Sequence, residues 1–315
     1  MARTETHPPL RVAVLSGGES PEREISLASG ICVAAALETI GHAVRAIDPA
    51  QIELVDVDWR QFDVCFLALH GGAGEDGRVQ QLLDSLHVPY TGSGPTASQL
   101  AMSKSAAKTR FAQQNIPTPD YVLIHRAESI PTAIARATAL GFPLVVKPDA
   151  QGSSFGVGLA RDADELQCRI AESQFYDPFL LAEQYIAGRE LTVTVLDREP
   201  LPVLEVFTGE ALFSFDAKYR DPLTEYEFDI DLSPAKLHEI QQLALAACES
   251  LDTVGLVRVD LRLDVQDRPW VLEVNTSPGL TERSLAPRAA ARLGLEMPEL
   301  CDHLVRSCLP ARLSS

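Results

Sequence analysis

The chain is short of positive charge. Only 27 lysines and arginines stand against 44 acidic residues, a formal net charge of −17 over 315 residues. Nucleic acid and anionic membranes attract proteins through basic surface, so neither is an expected partner, although a small basic pocket for one polyphosphate stays compatible. Long apolar runs are also missing. The longest, Ile31 to Leu37, falls far below the roughly 20 residues of a membrane span. The start, Met1 to Pro9, has no apolar core of a signal peptide. Six cysteines (Cys32, Cys65, Cys168, Cys248, Cys301, Cys308) are scattered without a CxxC or a Cys/His clip. They read as small buried apolar residues rather than zinc ligands, in a chain expected in a reducing cytoplasm.

What is present is a globular composition, 46% hydrophobic and 23% charged, in a chain long enough for two or three domains. Arg11 to Ser16 reads as a strand that stops at Gly17-Gly18. Ser20, Pro21 and Glu22 then read as an N-cap, a first-position proline and a first-turn acid of a helix closed by Gly41. Asp63 to Leu69 is a second apolar strand ending at His70-Gly71-Gly72. Such alternation predicts a parallel sheet with helices on both faces. Ligands gather past the carboxyl ends of such strands, where Glu22 and His70 stand.

A break at Tyr90 to Pro95 marks a boundary. Beyond it the patterns predict a long helix over 96–114, a strand over 121–124, a helix over 129–140 closed by Gly141, and a strand over 143–148. Later strands are expected at 180–184, 191–196, 201–207, 256–263 and 270–275, with a helix over 233–251.

Two constellations bear on chemistry. Gln151 to Gly158 is a glycine-rich loop whose backbone N–H groups and Ser153 and Ser154 hydroxyls suit phosphate, with Lys147 just before it. Neither GxxxxGK[ST] nor GxGxxG is present, and the loop alone favours an ordinary hairpin turn over a phosphate site. The second constellation is Arg258-Val259-Asp260 followed by Glu273-Val274-Asn275. Period-two alternation puts Arg258 and Asp260 on one strand face, and Glu273 and Asn275 on one face of the next. The turn-rich 265–269 favours antiparallel pairing, which gathers hard oxygen ligands suited to Mg²⁺ on a nucleotide. A solvated polar sheet face is the competing reading.

The run Glu273 to Thr281 resembles the metal-binding signature of D-alanine–D-alanine ligases of the ATP-grasp superfamily. Gly17 to Ser26, His70 to Gly77, Tyr90 to Gly94, Lys147-Pro148 with Gly152 to Ser154, Ala217 to Tyr219, and Arg258 to Asp260 match further family motifs in order, over about Val12 to Val305. The resemblance implies an α/β, ATP-grasp fold of three domains: an N-terminal parallel-sheet domain (1–95), a central domain (96–182) and a C-terminal catalytic domain (183–315).

It also implies ATP-dependent joining of two D-alanines through an acylphosphate, in the cytoplasm and as a homodimer. Lys104, Lys147, Ser153 and Lys218 would meet the nucleotide's phosphates; Glu183, Tyr185, Ile186 and Leu272 would surround the adenine, and Glu190 the ribose. Asp260, Glu273 and Asn275 would hold two Mg²⁺ or Mn²⁺ ions. Glu22 would bind the first D-alanine's ammonium, near His70, with Ser153 and Tyr219 linking to Glu22. Arg258 and Gly279 would stabilise the oxyanion, and Ser284 and Leu285 would meet the second substrate. Residues 219–231 would form a lid.

Three departures are visible. An acidic run, Glu227 to Asp231, follows Thr224-Glu225-Tyr226, Pro234-Ala235 comes late, and Arg283 precedes Ser284. D-lactate or D-serine as second substrate, and a nucleotide-binding regulator without catalysis, are the alternatives. The resemblance favours the dipeptide, because relatives that form depsipeptides tend to lose Tyr219, and the intact Lys147, Arg258, Asp260, Glu273 and Asn275 stand against the regulator.

Overall fold

The computed structural model describes residues 8–209, 212 and 223–309. They form two compact units, Met1–Gly92 with Ser277–Ser315, and Ser93–Thr276. Lys218 and Tyr219 lie outside the described residues.

In the first unit, β1 (Arg11–Leu15), β2 (Ala43–Ile47) and β3 (Val64–Leu67) make the expected parallel sheet, in the order β2-β1-β3. Val12 to Leu15 and Val64 to Leu67 are buried throughout, which is why these strands are continuous apolar runs rather than alternating ones. The helix Arg23–Thr39 links β1 to β2 and closes at Gly41, whose φ of +94° lets its N–H reach Glu38 O.

The start of that helix departs from expectation. Glu22 occupies the cap position instead of the first turn. Ser20 is diverted: its hydroxyl donates to His70 O at 2.6 Å and accepts from the Glu22 N–H at 3.1 Å. Such a local side-chain turn competes with the first helical turn and delays it.

The helices Leu285–Ala291 and Met297–Ser307 group with this unit, whereas the sequence places 277–315 with the preceding strands. Buried His42 is one tie. Leu10 N–H donates to its Nδ1 at 2.9 Å, and Nε2 donates to Asp302 at 2.8 Å.

The second unit holds two sheets. One is antiparallel, with β4 (Tyr121–His125), β5 (Leu144–Pro148), β6 (Gly158–Ala160) and β7 (Phe179–Gln184) in the order β4-β7-β5-β6. The other comprises β8 (Gly188–Leu196), β9 (Glu199–Pro200), β10 (Leu204–Phe207), β11 (Glu225–Glu227), β12 (Leu256–Asp264) and β13 (Pro269–Asn275). Each sheet has its own apolar cluster. Ile124, Leu144, Val146, Leu166, Ile170 and Leu180 fill the first, and Phe111, Val193, Ile240, Val257, Val259 and Leu261 the second. Of the expected lid, residues 225–227 form β11, paired antiparallel to β10.

The single long helix expected over 96–114 is two, Pro95–Met102 and Lys104–Gln113. Ser103 adopts an extended conformation and caps the second, accepting from Ala106 N–H. Asp149 holds the break, taking the Ser103 hydroxyl at 2.8 Å and the Ser105 N–H at 2.7 Å. A carboxylate at a helix N-terminus is favourable, and here it sets Lys104 at the start of a helix.

Candidate functional site

The second unit carries an open cleft lined by Lys104, Val145, Lys147, Gln151, Ser154, Val157, Glu183, Tyr185, Ile186, Glu190, Asp260, Arg262, Leu272 and Glu273. Its polar wall comes from alternation in β12. Val257, Val259, Leu261 and Leu263 enter the core, so Arg258, Asp260 and Arg262 face the other way.

β12 and β13 pair antiparallel, with Asp260 opposite Glu273 and Arg258 opposite Asn275. The register shifts after Asp260, so that Leu261 opposes Val271 and Leu272 is an extra residue. A bulge of this kind re-aims side chains. It lets Leu272 and Glu273, neighbours in sequence, both line the cleft while Val271 and Val274 stay in the core.

Asp260 is spoken for. Arg258 donates to both its oxygens, at 2.8 and 2.9 Å, and the Thr192 hydroxyl donates at 2.9 Å. Glu273 lies 3.4 Å from the Lys104 ammonium, which also donates to Gln151 O at 2.8 Å. Two carboxylates and an amide oxygen at adjacent register positions form a donor set for a hard divalent cation. Oδ1 of Asp260 already accepts two of these contacts and Oδ2 one, so a cation there competes with Arg258 and Thr192 for the carboxylate.

Beneath the cleft lies a buried chain of charge. Lys147 donates to Glu183 at 2.6 Å, and Lys108 sits 3.0 Å from the other carboxylate oxygen. Burial alone would push the Glu183 carboxyl up; the two ammonium groups reverse this and hold it below its ordinary value. Burial pushes Lys108 down to about 8 against the attraction of Glu183, with Lys147 opposing its charge further. Lys108 also donates to Thr118 Oγ1 at 2.6 Å and Pro119 O at 3.1 Å. Ser154 rather than Ser153 lines the cleft, both with positive φ (58° and 48°) in the glycine-rich loop.

The first unit has a separate pocket whose lining includes Gly17, Gly18, Ser20, His70, Gly71 and Gly72. Glu22 is buried and turned toward this loop. A Cβ built on Gly71, at φ +65°, would lie 2.9 Å from Glu22 Oε1, so the loop passes the carboxylate only as glycine.

His70 is 3% exposed. Its Nδ1 donates to Ser277 O at 3.1 Å; the Ser29 hydroxyl donates to Nε2 at 2.8 Å and itself accepts the Leu280 N–H at 3.2 Å. In the neutral ring these partners place the proton on Nδ1. The chain fixes the backbone on both sides of Gly279. Ser284 stands at the cap of the helix Leu285–Ala291, yet its hydroxyl bonds back to Thr281, accepting the N–H at 3.0 Å. Leu285 is buried.

The structure thus gathers Lys104, Lys147, Glu183, Tyr185, Ile186, Glu190, Asp260, Leu272 and Glu273 around one cleft, with Arg258 and Asn275 on the same strand pair. Glu22, His70, Gly279, Ser284 and Leu285 belong to the other unit. Sequence reasoning missed Lys108, Arg262, Thr192 and Ser29. A signal existed for two of them: Lys108 follows Lys104 by one helical turn, and Arg262 continues the period-two row of Arg258 and Asp260.

Models of the D-ala D-ala ligase N-terminus and C-terminus match residues 46–93 and 111–306. A D-alanine–D-alanine ligase of Gloeobacter violaceus is 42% identical over 297 residues, covering 94% of this chain and 98% of that protein. One of Pseudomonas putida is 42% identical over 290 residues, 92% of this chain and 90% of that protein. The crystal structure of the Bacillus anthracis ligase superposes with a TM-score of 0.85 at 33% identity, covering 95% of this chain and 97% of that one. The same enzyme complexed with ATP gives 0.83 at 32% identity, with the same coverage. With its family models, its relatives and its ATP-grasp fold in agreement, the chain belongs to the D-alanine–D-alanine ligase family.

Proposed function

We infer that this protein joins two D-alanines at the expense of ATP, giving ADP, phosphate and D-alanyl-D-alanine for peptidoglycan synthesis. The observation that carries this reading is the register of β12 and β13, which sets Asp260 against Glu273 and Arg258 against Asn275 beside a cleft lined by two lysines. Lys104 and Lys147 would neutralise the nucleotide's phosphates, and Glu190 would accept from the ribose hydroxyls. Tyr185, Ile186 and Leu272 would enclose the adenine, with Glu183 beneath, while Ser153 with its neighbour Ser154 and Lys218 would complete the phosphate site.

Asp260, Glu273 and Asn275 would hold Mg²⁺ or Mn²⁺, two ions in all, which supplies charge neutralisation on the transferred phosphoryl group. A carboxylate resists nucleophiles, so the first D-alanine is activated as an acylphosphate. Positioning and charge neutralisation provide most of that step's acceleration. Glu22 would take the first substrate's ammonium, a charge-assisted contact that selects an amino acid over a plain acid. His70 would stand beside it, and Ser153 and Tyr219 would link to Glu22. The second D-alanine, met by Ser284 and Leu285, attacks through its neutral amine. Arg258, once released by Asp260, and the Gly279 N–H would stabilise the oxyanion. The lid segment 219–231 would keep water from the acylphosphate.

Two further parts of this reading are assembly as a homodimer and residence in the cytoplasm. Among the described residues no helix is long and apolar enough to cross a membrane.

Phosphate release from ATP on adding D-alanine, compared with L-alanine, D-lactate and D-serine, tests the reading. D-alanine alone should sustain turnover. Nucleotide binding without D-alanine-dependent ADP formation would make the protein a regulator instead, and preferred use of D-lactate or D-serine as second substrate would move the specificity.

A further inference from the structure

We propose that Arg262 is a positioning residue of the nucleotide site, which locks the segment Tyr185–Glu190 so that the cleft favours a ribonucleotide over its 2′-deoxy counterpart. The proposal rests on reading this cleft as the ATP site. Arg262 lies two residues beyond Asp260 on β12, faces the same cleft, and has a side chain only 10% exposed.

Its guanidinium gathers four acceptors. Nε donates to Ile186 O at 3.0 Å and Nη1 to Glu190 Oε2 at 2.6 Å. Nη2 donates to Gly188 O at 3.1 Å and to the Tyr185 hydroxyl at 3.3 Å. The guanidinium carbon also lies 5.5 Å from the centroid of the Tyr185 ring, within range of a cation–π contact.

The location of these acceptors gives the contacts their meaning. Residues 185–187 connect β7, in the four-stranded sheet, to β8, in the six-stranded one. A connection between sheets lacks ladder partners for its carbonyls and needs another donor. Arg262 supplies it from β12, where it is the direct register partner of Glu190. Gly188 makes the close approach possible, since a Cβ there would run into the Leu263 carbonyl. A planar fork of five N–H groups can serve two carbonyls, a phenol and a carboxylate at once; the compact ammonium of lysine cannot.

The consequence for the ligand follows from Glu190. Its carboxylate is held on one oxygen by a group that is itself fixed at three other points, so its orientation is set before nucleotide arrives. An acceptor placed in advance costs little ordering on binding. A site built to accept from a substrate hydroxyl discriminates against the analogue lacking that hydroxyl. Without Arg262, Glu190 keeps its charge and loses its aim.

The test compares dissociation constants of ATP and 2′-deoxy-ATP for the full chain, without D-alanine, in wild type, Arg262→Met, Arg262→Lys and Glu190→Gln. Wild type should bind ATP at least about tenfold more tightly than the deoxynucleotide, a difference of about 1.4 kcal/mol. Arg262→Met, which keeps the apolar stem, should bring the two constants within about twofold, chiefly by weakening ATP. Arg262→Lys should give an intermediate ratio, which keeps the test alive if the methionine variant fails to fold. Glu190→Gln should abolish the preference, and adding Arg262→Met to it should change the ratio no further. Equal weakening of both nucleotides in folded Arg262→Met, or a wild type without preference, would overturn the proposal. Neither result depends on ligation, so a protein that prefers ATP through Arg262 yet releases no D-alanine-dependent phosphate would sink the proposed reaction and leave this inference standing.

Discussion

The two units solve the same problem, holding small polar groups in place, by opposite means. In Ser93–Thr276 the cleft is built from long charged side chains on regular strands, and every acid has a base against it: Asp260 with Arg258, Glu190 with Arg262, Glu183 with Lys147 and Lys108. In Met1–Gly92 with Ser277–Ser315 the pocket is built from glycine turns, short hydroxyls and one buried histidine held by a hydroxyl and a carbonyl, with the Glu75 carboxylate 3.7 Å from its Nδ1. The first arrangement is held chiefly by paired charges. The second depends on backbone conformation at its glycine turns. Substitutions should therefore fail differently in the two.

The largest effect belongs to the charged cleft. Glu273→Gln keeps shape and hydrogen-bonding capacity but removes one charge from the proposed cation site. Turnover should fall by at least about 10³-fold, as loss of a principal electrostatic stabiliser does, with circular dichroism and melting temperature little changed. A near-normal rate would show that the cleft's acids serve structure alone.

Next comes the ion chain beneath the cleft. Lys108→Met removes one partner of a fully buried carboxylate, which typically costs about 3–5 kcal/mol of stability. Denaturant unfolding should show a loss of this order. A loss below about 1 kcal/mol would mean that Lys147 alone satisfies Glu183, and the contrast between the units would weaken.

The same contrast explains what was legible in the sequence. β12 and β13, their antiparallel pairing and the shared face of Arg258 and Asp260 all follow from period-two alternation, a local rule. The strands β1 and β3 and the helix closed at Gly41 were legible from other local signals, continuous apolar runs and turn glycines, whereas β2, mostly exposed along its length, was not read from the sequence. The break at Ser103 was not legible, because it depends on Asp149, which is 46 residues away and reaches the Ser103 hydroxyl. The extra residue at Leu272 was hidden for a related reason: a bulge is a property of two strands in register, and the sequence of one of them still reads as plain alternation. For Lys108 the only local signal was its place one helical turn after Lys104; its partner Glu183 lies 75 positions on and came into view only with the fold. The late start of the first helix came from Ser20 choosing His70 O, 50 residues on, over a helical N–H. In each case a distant partner outbid a local preference.

The glycine-built pocket should yield a smaller and more selective effect. Gly71→Ala strains a residue at φ +65° and crowds Glu22. Because Glu22 is the proposed ammonium partner, KM for D-alanine should rise about tenfold, a shift of about 1.4 kcal/mol, while KM for ATP stays within a factor of about two. Equal rises in both would mean that the pocket and the nucleotide cleft do not divide the substrates as proposed.

The smallest effect tests whether the second unit's electrostatic logic has any counterpart in the first. Asp48, against the glycine turn at Gly17 and Gly18, is the place to look. Arg23 donates to both its carboxylate oxygens, and the Gly18 and Ala50 N–H groups donate to it at 3.0 Å each. The Arg23 guanidinium leads in holding this carboxyl well below its ordinary value, ahead of the opposing effect of burial. A depressed carboxyl contributes stability that is complete above about pH 4, its value in the unfolded chain, and that is lost as the pH falls through the lower folded value. Asp48→Asn should therefore cost about 1 kcal/mol at pH 7, since Arg23 is partly exposed and solvent screens the pair. The gap to wild type should narrow as the pH falls below 4 toward the depressed folded value, where Asp48 itself becomes protonated. Unfolding free energies measured from pH 7 down to 3 would check it. A gap that stays constant across this range would mean that Asp48 acts through its backbone contacts, which asparagine partly retains, and that the first unit holds its glycine turns without help from charge.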